Sequence, residues 1–161
     1  MRFVRLVSAI IMILAVSAVL AGCWNYREID ALSIVTGAAI DKDLKTGKFT
    51  LSAEIVELKD PKEAKVSTRV VAAEGMTLFD AARNIIKIAD KKMYWSHAKV
   101  IVVSQNVAKD SMIEVLDWVN RNGEPRFDIY IMVSKEATAK EIFELKSPTT
   151  EIISEGIYQM M

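Results

Sequence analysis

The chain has 161 residues, enough for one ordinary domain and too few for two. Its 21 basic residues equal its 21 acidic ones, a formal net charge of zero. That balance argues against the basic face of a nucleic-acid binder, and no nucleic-acid partner is expected. A single cysteine excludes an internal disulfide and a zinc site of the multi-cysteine kind, so the fold must rest on packing.

Residues 1–5 (MRFVR) are short and basic, and residues 6–20 (LVSAIIMILAVSAVL) form a charge-free apolar run of 15. This is the length of a signal peptide and less than the ~20 residues a spanning helix needs. The run ends in Leu20, Ala21, Gly22 and Cys23, which resembles a lipobox. Cleavage is expected between Gly22 and Cys23, with diacylglycerol on the Cys23 sulfur and an N-acyl lipid on its new amino group. No other cofactor is expected. Two or more acyl chains anchor stably, because each buried methylene contributes ~0.8 kcal/mol. Loss of residues 1–22 removes Arg2 and Arg5 and leaves 19 basic against 21 acidic residues. What remains is large enough to bury roughly two thirds of its unfolded surface.

Residues 23–31 read as a lipidated tether, in which Trp24 and Tyr26 either rest at headgroup level or simply belong to a flexible linker. A domain is expected over 32–147. Leu32–Ile40 is apolar and β-branched, Asp41–Gly47 reads as a turn, and Phe49, Leu51, Ala53 and Ile55 alternate with Thr50, Ser52 and Glu54. Together these predict a hairpin whose second strand is half-buried. Val66–Ala73 is a third strand. Thr77 caps a helix carrying Leu78, Ala82, Ile85, Ile86 and Ala89 on one face. A strand from near Tyr94 to Val103 follows. Ser111 with Glu114 forms a capping box for a helix lined by Met112, Val115, Leu116 and Val119, which stops at Asn122 and Gly123. Phe127–Val133 alternates as a strand, and Thr138 with Glu141 opens a short helix to Leu145. The order β-β-β-α-β-α-β-α indicates an α/β protein of the α+β type, a mixed sheet with packed helices. Residues 148–161 carry Ile152, Ile153, Ile157 and Met160 at helical spacing. They read either as the start of a segment leading to a further domain or as a helix that docks on a partner.

No catalytic constellation emerges. Asp41, Asp43, Thr46 and Gly47 lack the distal glutamate of a calcium loop and suit a solvated turn. His97 is the only histidine, and functional histidines act with partners. Glu114 and Asp117 fit a solvated helix face, and Trp118 fits packing. Ser33, Ser96 and Ser104 lack nucleophile-elbow glycines. No catalytic, cofactor-binding or metal residue is assigned.

Several stretches resemble one family in order: residues 22–30 (GCWNYREID), 34–37 (IVTG), 40–43 (IDKD), 75–83 (GMTLFDAAR), 94–101 (YWSHAKVI), 115–118 (VLDW) and 126–128 (RFD). Together they resemble the Ger(x)C family, the C-subunit lipoproteins of spore germinant receptors. The resemblance spans residues 20–160 and implies a non-enzymatic, lipid-anchored subunit on the extracytoplasmic side of the inner spore membrane. Its implied partners are membrane lipid and integral membrane germinant-receptor subunits. It also marks Tyr94, Trp95, Ser96 and His97 as a fixed local structure, a candidate interface, to which Ile153 and Ile157 are added from the apolar C-terminal segment. Family members are about twice this long, so a fragment without activity is one alternative. A solute-binding or scaffolding lipoprotein and an anchored hydrolase are the others.

Overall fold

The computed structural model describes residues 2–20, 32–60, 65–145, 147 and 150–161. Gly22 and Cys23, with the rest of the expected cleavage site and tether, lie outside the described residues. The apolar N-terminal run forms α1 (Arg2–Leu20). The side chains of residues 2–17 are exposed. No helix among the described residues is long and apolar enough to cross a membrane.

The hairpin forms from β1 (Leu32–Lys42) and β2 (Phe49–Asp60), antiparallel, with Ala38 opposite Ala53 and Ile40 opposite Leu51. Its turn is closed by the Asp43 carboxylate, which accepts the Lys45 N–H at 2.7 Å and the Thr46 hydroxyl at 3.0 Å. These bonds, the backbone one first, hold its pKa below the ordinary aspartate value. Gly47 supplies the positive φ of 71°. The aspartate thus builds a turn, as the sequence predicts.

The third strand, β3 (Lys65–Gly75), pairs antiparallel along nearly all of β2 and is longer than its sequence pattern indicates. Helix α2 (Leu78–Ala89) follows, with Thr77 accepting the Asp80 N–H at 3.1 Å. It buries Leu78, Ala81, Ile85 and Ala89. The expected Ala82 and Ile86 lie at the edge of the stripe, and Ile86 is 41% exposed.

The single strand expected from Tyr94 to Val103 is instead two, β4 (Lys92–Tyr94) and β5 (Val100–Val103), separated by a 3-10 turn at Trp95–His97. Both pair in parallel with β1, Tyr94 opposite Ile34 and Val100 opposite Gly37. Between those pairs the second segment has more residues than β1, and the excess bulges out as the turn.

Helix α3 (Gln105–Asp110), absent from the sequence reading, abuts α4 (Met112–Asn122) at Ser111. Ser111 does not cap through its side chain. Its N–H bonds the Val107 carbonyl at 2.9 Å, and its hydroxyl accepts from Lys42 Nζ at 2.7 Å. Helix α4 buries Val115, Trp118 and Val119, with Leu116 43% exposed.

The last strand, β6 (Tyr130–Val133), is shorter than expected. Arg126 and Asp128 fork together through two 2.9 Å bonds and hold 126–128 outside the sheet, leaving Phe127 90% exposed. Helices α5 (Glu141–Glu144) and α6 (Ile153–Gln159) end the chain. Thr138 does not cap α5. Its hydroxyl bonds the Glu141 carboxylate, and the N–H groups of Ala139 and Lys140 go to the Asp41 carboxylate at 2.7 and 3.1 Å.

The sheet order is β3-β2-β1-β5-β6, and β4 pairs with β1 off this path. It is an α+β arrangement with a mixed sheet. One face carries the larger core, in which Val35, Ile40, Leu51, Ile55 and Ile101 meet Leu78, Ile85, Val107 and Trp118. The opposite face carries Ala39, Val100 and Val102 under Phe143, with Ile153 and Ile157 packed against them. Helices therefore cover both faces. Gly37 makes the second layer possible, since a Cβ there would sit 2.6 Å from Ser154 Cβ and 3.0 Å from the Phe143 ring.

Candidate partner interface

The pairing of Lys92, Met93 and Tyr94 with Leu32, Ser33 and Ile34 places the 94–97 turn beside the start of β1. The turn is fastened from several sides. Trp95 is 5% exposed and meets Trp118 edge-to-face, ring centroids 5.2 Å apart. The Ser96 hydroxyl donates to the Glu124 carbonyl at 3.0 Å, and Lys92 forms a short ion pair with the Glu124 carboxylate. The loop after α4, which begins at Gly123 with φ 65°, is thereby stapled to the turn. Of the four residues marked in this stretch, Trp95 is a buried support. Tyr94 is partly exposed and touches the His97 ring edge-on at 5.7 Å.

His97 is exposed and lines a shallow concavity of about 150 Å³ with Ser96, Ala98, Lys99, Arg126, Asp128 and Tyr158. The charges here are matched. Arg126 and Asp128 form the fork already described, which lowers the Asp128 pKa and raises that of Arg126. Lys99 binds Glu155 at 2.9 Å and lies 4.5 Å from the Tyr158 ring centroid. Its hydrogen bond holds the Glu155 carboxyl below the ordinary range. Tyr158 meets Tyr130 edge-on at 5.8 Å. The result is a charge-balanced, aromatic-edged ledge.

The C-terminal segment and the turn, separate in sequence, come together here through Tyr158 and Glu155 of α6. Ile153 and Ile157 take no part in the ledge, because they pack inward on the second face of the sheet. Tyr158, Met160 and Met161 are exposed apolar residues of that segment, 39%, 79% and 56%.

The other residues weighed in the sequence occupy separate places. Asp117 pairs with Arg121 at 3.2 Å along the helix, while Glu114 lies 4.0 Å from Lys42. Trp118 is 1% exposed and is a packing residue. Among the described residues no group of three or more His, Cys, Asp or Glu side chains could hold a metal ion.

Sequence reasoning missed Glu54. It lies on the polar side of an alternating strand, yet it is fully buried and accepts hydrogen bonds from Thr36, Ile153 and Ser154. The signal that could have found it was the apolar spacing of 152–157, which needs a surface to cover.

Comparison with known proteins decides the family. The model described as "Spore germination protein N-terminal domain" matches residues 25–161. The chain belongs to this family. Among curated relatives, spore germination protein KC of Bacillus subtilis (strain 168) is 25% identical over 158 residues, covering 92% of this chain and 38% of that protein. Spore germination protein B3 of the same organism is 27% identical over 135 residues, 82% of this chain and 36% of the relative. Spore germination protein A3 is 25% identical over 142 residues, covering 83% and 38%. The chain thus spans well under half the length of these spore germination proteins. No solved structure matches.

Proposed function

We propose that the mature chain is a non-enzymatic, lipid-anchored subunit of a membrane germinant-receptor complex and supports nutrient-triggered spore germination. The observation that carries this reading is the family match over 25–161 directly behind a cysteine at the end of an apolar run of signal length. Diacylglycerol and an N-acyl chain on Cys23 would hold the domain on the extracytoplasmic face of the inner spore membrane. There the anchor raises its effective concentration near integral membrane partners.

The anchor also gives the domain an orientation. Residues 24–31 can span at most about 26–29 Å when fully extended, and they join β1 at Leu32, beside the Tyr94–His97 turn. The hairpin turn at Asp43–Lys48 lies at the other end of β1, about 35 Å away for 11 residues of strand. The ledge of His97, Arg126, Asp128 and Tyr158 is therefore the membrane-proximal surface and the contact offered to an integral membrane subunit.

A photoreactive amino acid in place of His97, with one in place of Lys45 in the hairpin turn as the distal control, tests this in spore membranes. The reading expects a crosslink to an integral membrane protein from position 97 and none from position 45. Adducts from position 45 alone would overturn the orientation, and none from either would remove support for the complex.

A further inference from the structure

The second face of β2 is written as a solvent face and used as a buried one. Thr50, Ser52 and Glu54 supply the polar half of its alternation, yet Ser52 and Glu54 are both fully buried. The segment Thr150–Gln159, containing α6, is fastened to Glu54.

Its fastenings are mostly polar. The Glu54 carboxylate accepts the Ile153 N–H at 2.8 Å on one oxygen. Its other oxygen accepts the Ser154 N–H at 3.0 Å, the Ser154 hydroxyl at 2.5 Å and the Thr36 hydroxyl at 2.9 Å. The Thr68 hydroxyl donates to the Glu151 carbonyl at 3.0 Å, and Lys99 pairs with Glu155 at the surface. The apolar part is modest, since Ile153 and Ile157 are only partly buried.

One cost opposes these bonds. Burying a carboxylate without a cation forfeits its hydration, and hydrogen bonds return only part of that loss. Among the described residues Glu54 forms no ion pair. The Glu54 carboxylate regains water if the segment lifts, and the sheet keeps its other core intact beneath α2 and α4. A strand face that contradicts its own pattern marks a place where the fold serves something besides stability.

We infer that Thr150–Gln159 is a detachable strap, latched to the second face of the sheet by the Glu54 carboxylate and able to lift while the strands and α2–α4 remain folded. Lifting uncovers the Glu54 carboxylate and the Gly37 backbone, against which Ser154 packs. The same movement carries Glu155 away from Lys99 and Tyr158 out of the ledge beside His97. The latch therefore couples the second face of the sheet to the candidate partner surface.

Hydrogen exchange followed by mass spectrometry on the full chain in detergent tests this at neutral pH. Amides of 153–159 are expected to exchange on the order of a hundred-fold faster than those of β1 and β5, as in sub-global opening. Glu54→Gln sets an amide against the Ile153 and Ser154 donors and should speed exchange of 153–159 by about ten-fold, with β1 and β5 unchanged. If 153–159 exchanges in step with β1 and β5 in the wild type, or if Glu54→Gln shifts the strap and the core strands equally, the segment is an integral part of the fold and the inference is overturned.

Discussion

Asp41 does at residue scale what the sequence left unassigned. It stands at the end of β1, reads as part of a turn, and instead reaches across to the Ala139 and Lys140 N–H groups that precede α5. Burial is the largest influence on it and raises its pKa above the ordinary value, against the opposing effect of those two bonds. A carboxyl whose folded pKa is raised binds more protons folded than unfolded. Its contribution to stability is therefore fully present below the unfolded value and declines as pH rises through the folded one. Asp41→Asn removes that dependence while keeping the side-chain shape. Urea midpoints of both proteins between about pH 3 and pH 6 should show the wild type losing ground to the variant as pH rises. A gap that stays constant would mean that Asp41 does not titrate differently in the fold. Asp43 and Asp128, both lowered, act in the opposite sense and are common to both proteins, so they cancel in the comparison.

At the scale of elements, local signals were reliable where one residue carried the chemistry. Thr77 caps α2 as its position demands, and the Asp43 turn closes as its residue types indicate. Thr77→Ala should cost about 1 kcal/mol of stability, read as a lower denaturation midpoint without a change in slope. An unchanged midpoint would show that the 3.1 Å bond to Asp80 contributes nothing. Elsewhere the reading failed for identifiable reasons. The run from Tyr94 to Val103 reads as one strand because its residue types suit a sheet. The break is imposed by register against β1, a long-range property that no local pattern records. Ser111 and Thr138 have the spacing of capping boxes, but partners from β1 compete. Lys42 takes the Ser111 hydroxyl, and Asp41 takes the N–H groups near Thr138. Phe127 alternates correctly with Ile129 and Ile131, yet the fork of Arg126 and Asp128 two residues apart holds it outside the sheet.

The whole molecule joins three parts: an apolar N-terminal helix, a mixed sheet with helices on both faces, and a ledge at the end where β1 begins. The fold class was legible because the strand and helix patterns alternate clearly. Which face each helix covers was not, since both faces of β2 are buried and one of them looks polar. The ledge was half legible. The 94–97 stretch stood out through resemblance, whereas Arg126, Asp128 and Tyr158 join it only through tertiary packing. Ile153 and Ile157 drew notice as uncovered apolar residues, and the sheet itself covers them in part.

Lipid on Cys23 is the premise of the proposed orientation. Intact mass and membrane partitioning of the expressed protein, with Cys23→Ala beside it, test that most directly. The wild type should lose residues 1–22, gain the mass of a diacylglycerol and partition with membranes, while Cys23→Ala should remain an uncleaved precursor. Equal, unlipidated masses for the two proteins would contradict the anchored reading and, with it, the placement of the ledge against a membrane partner.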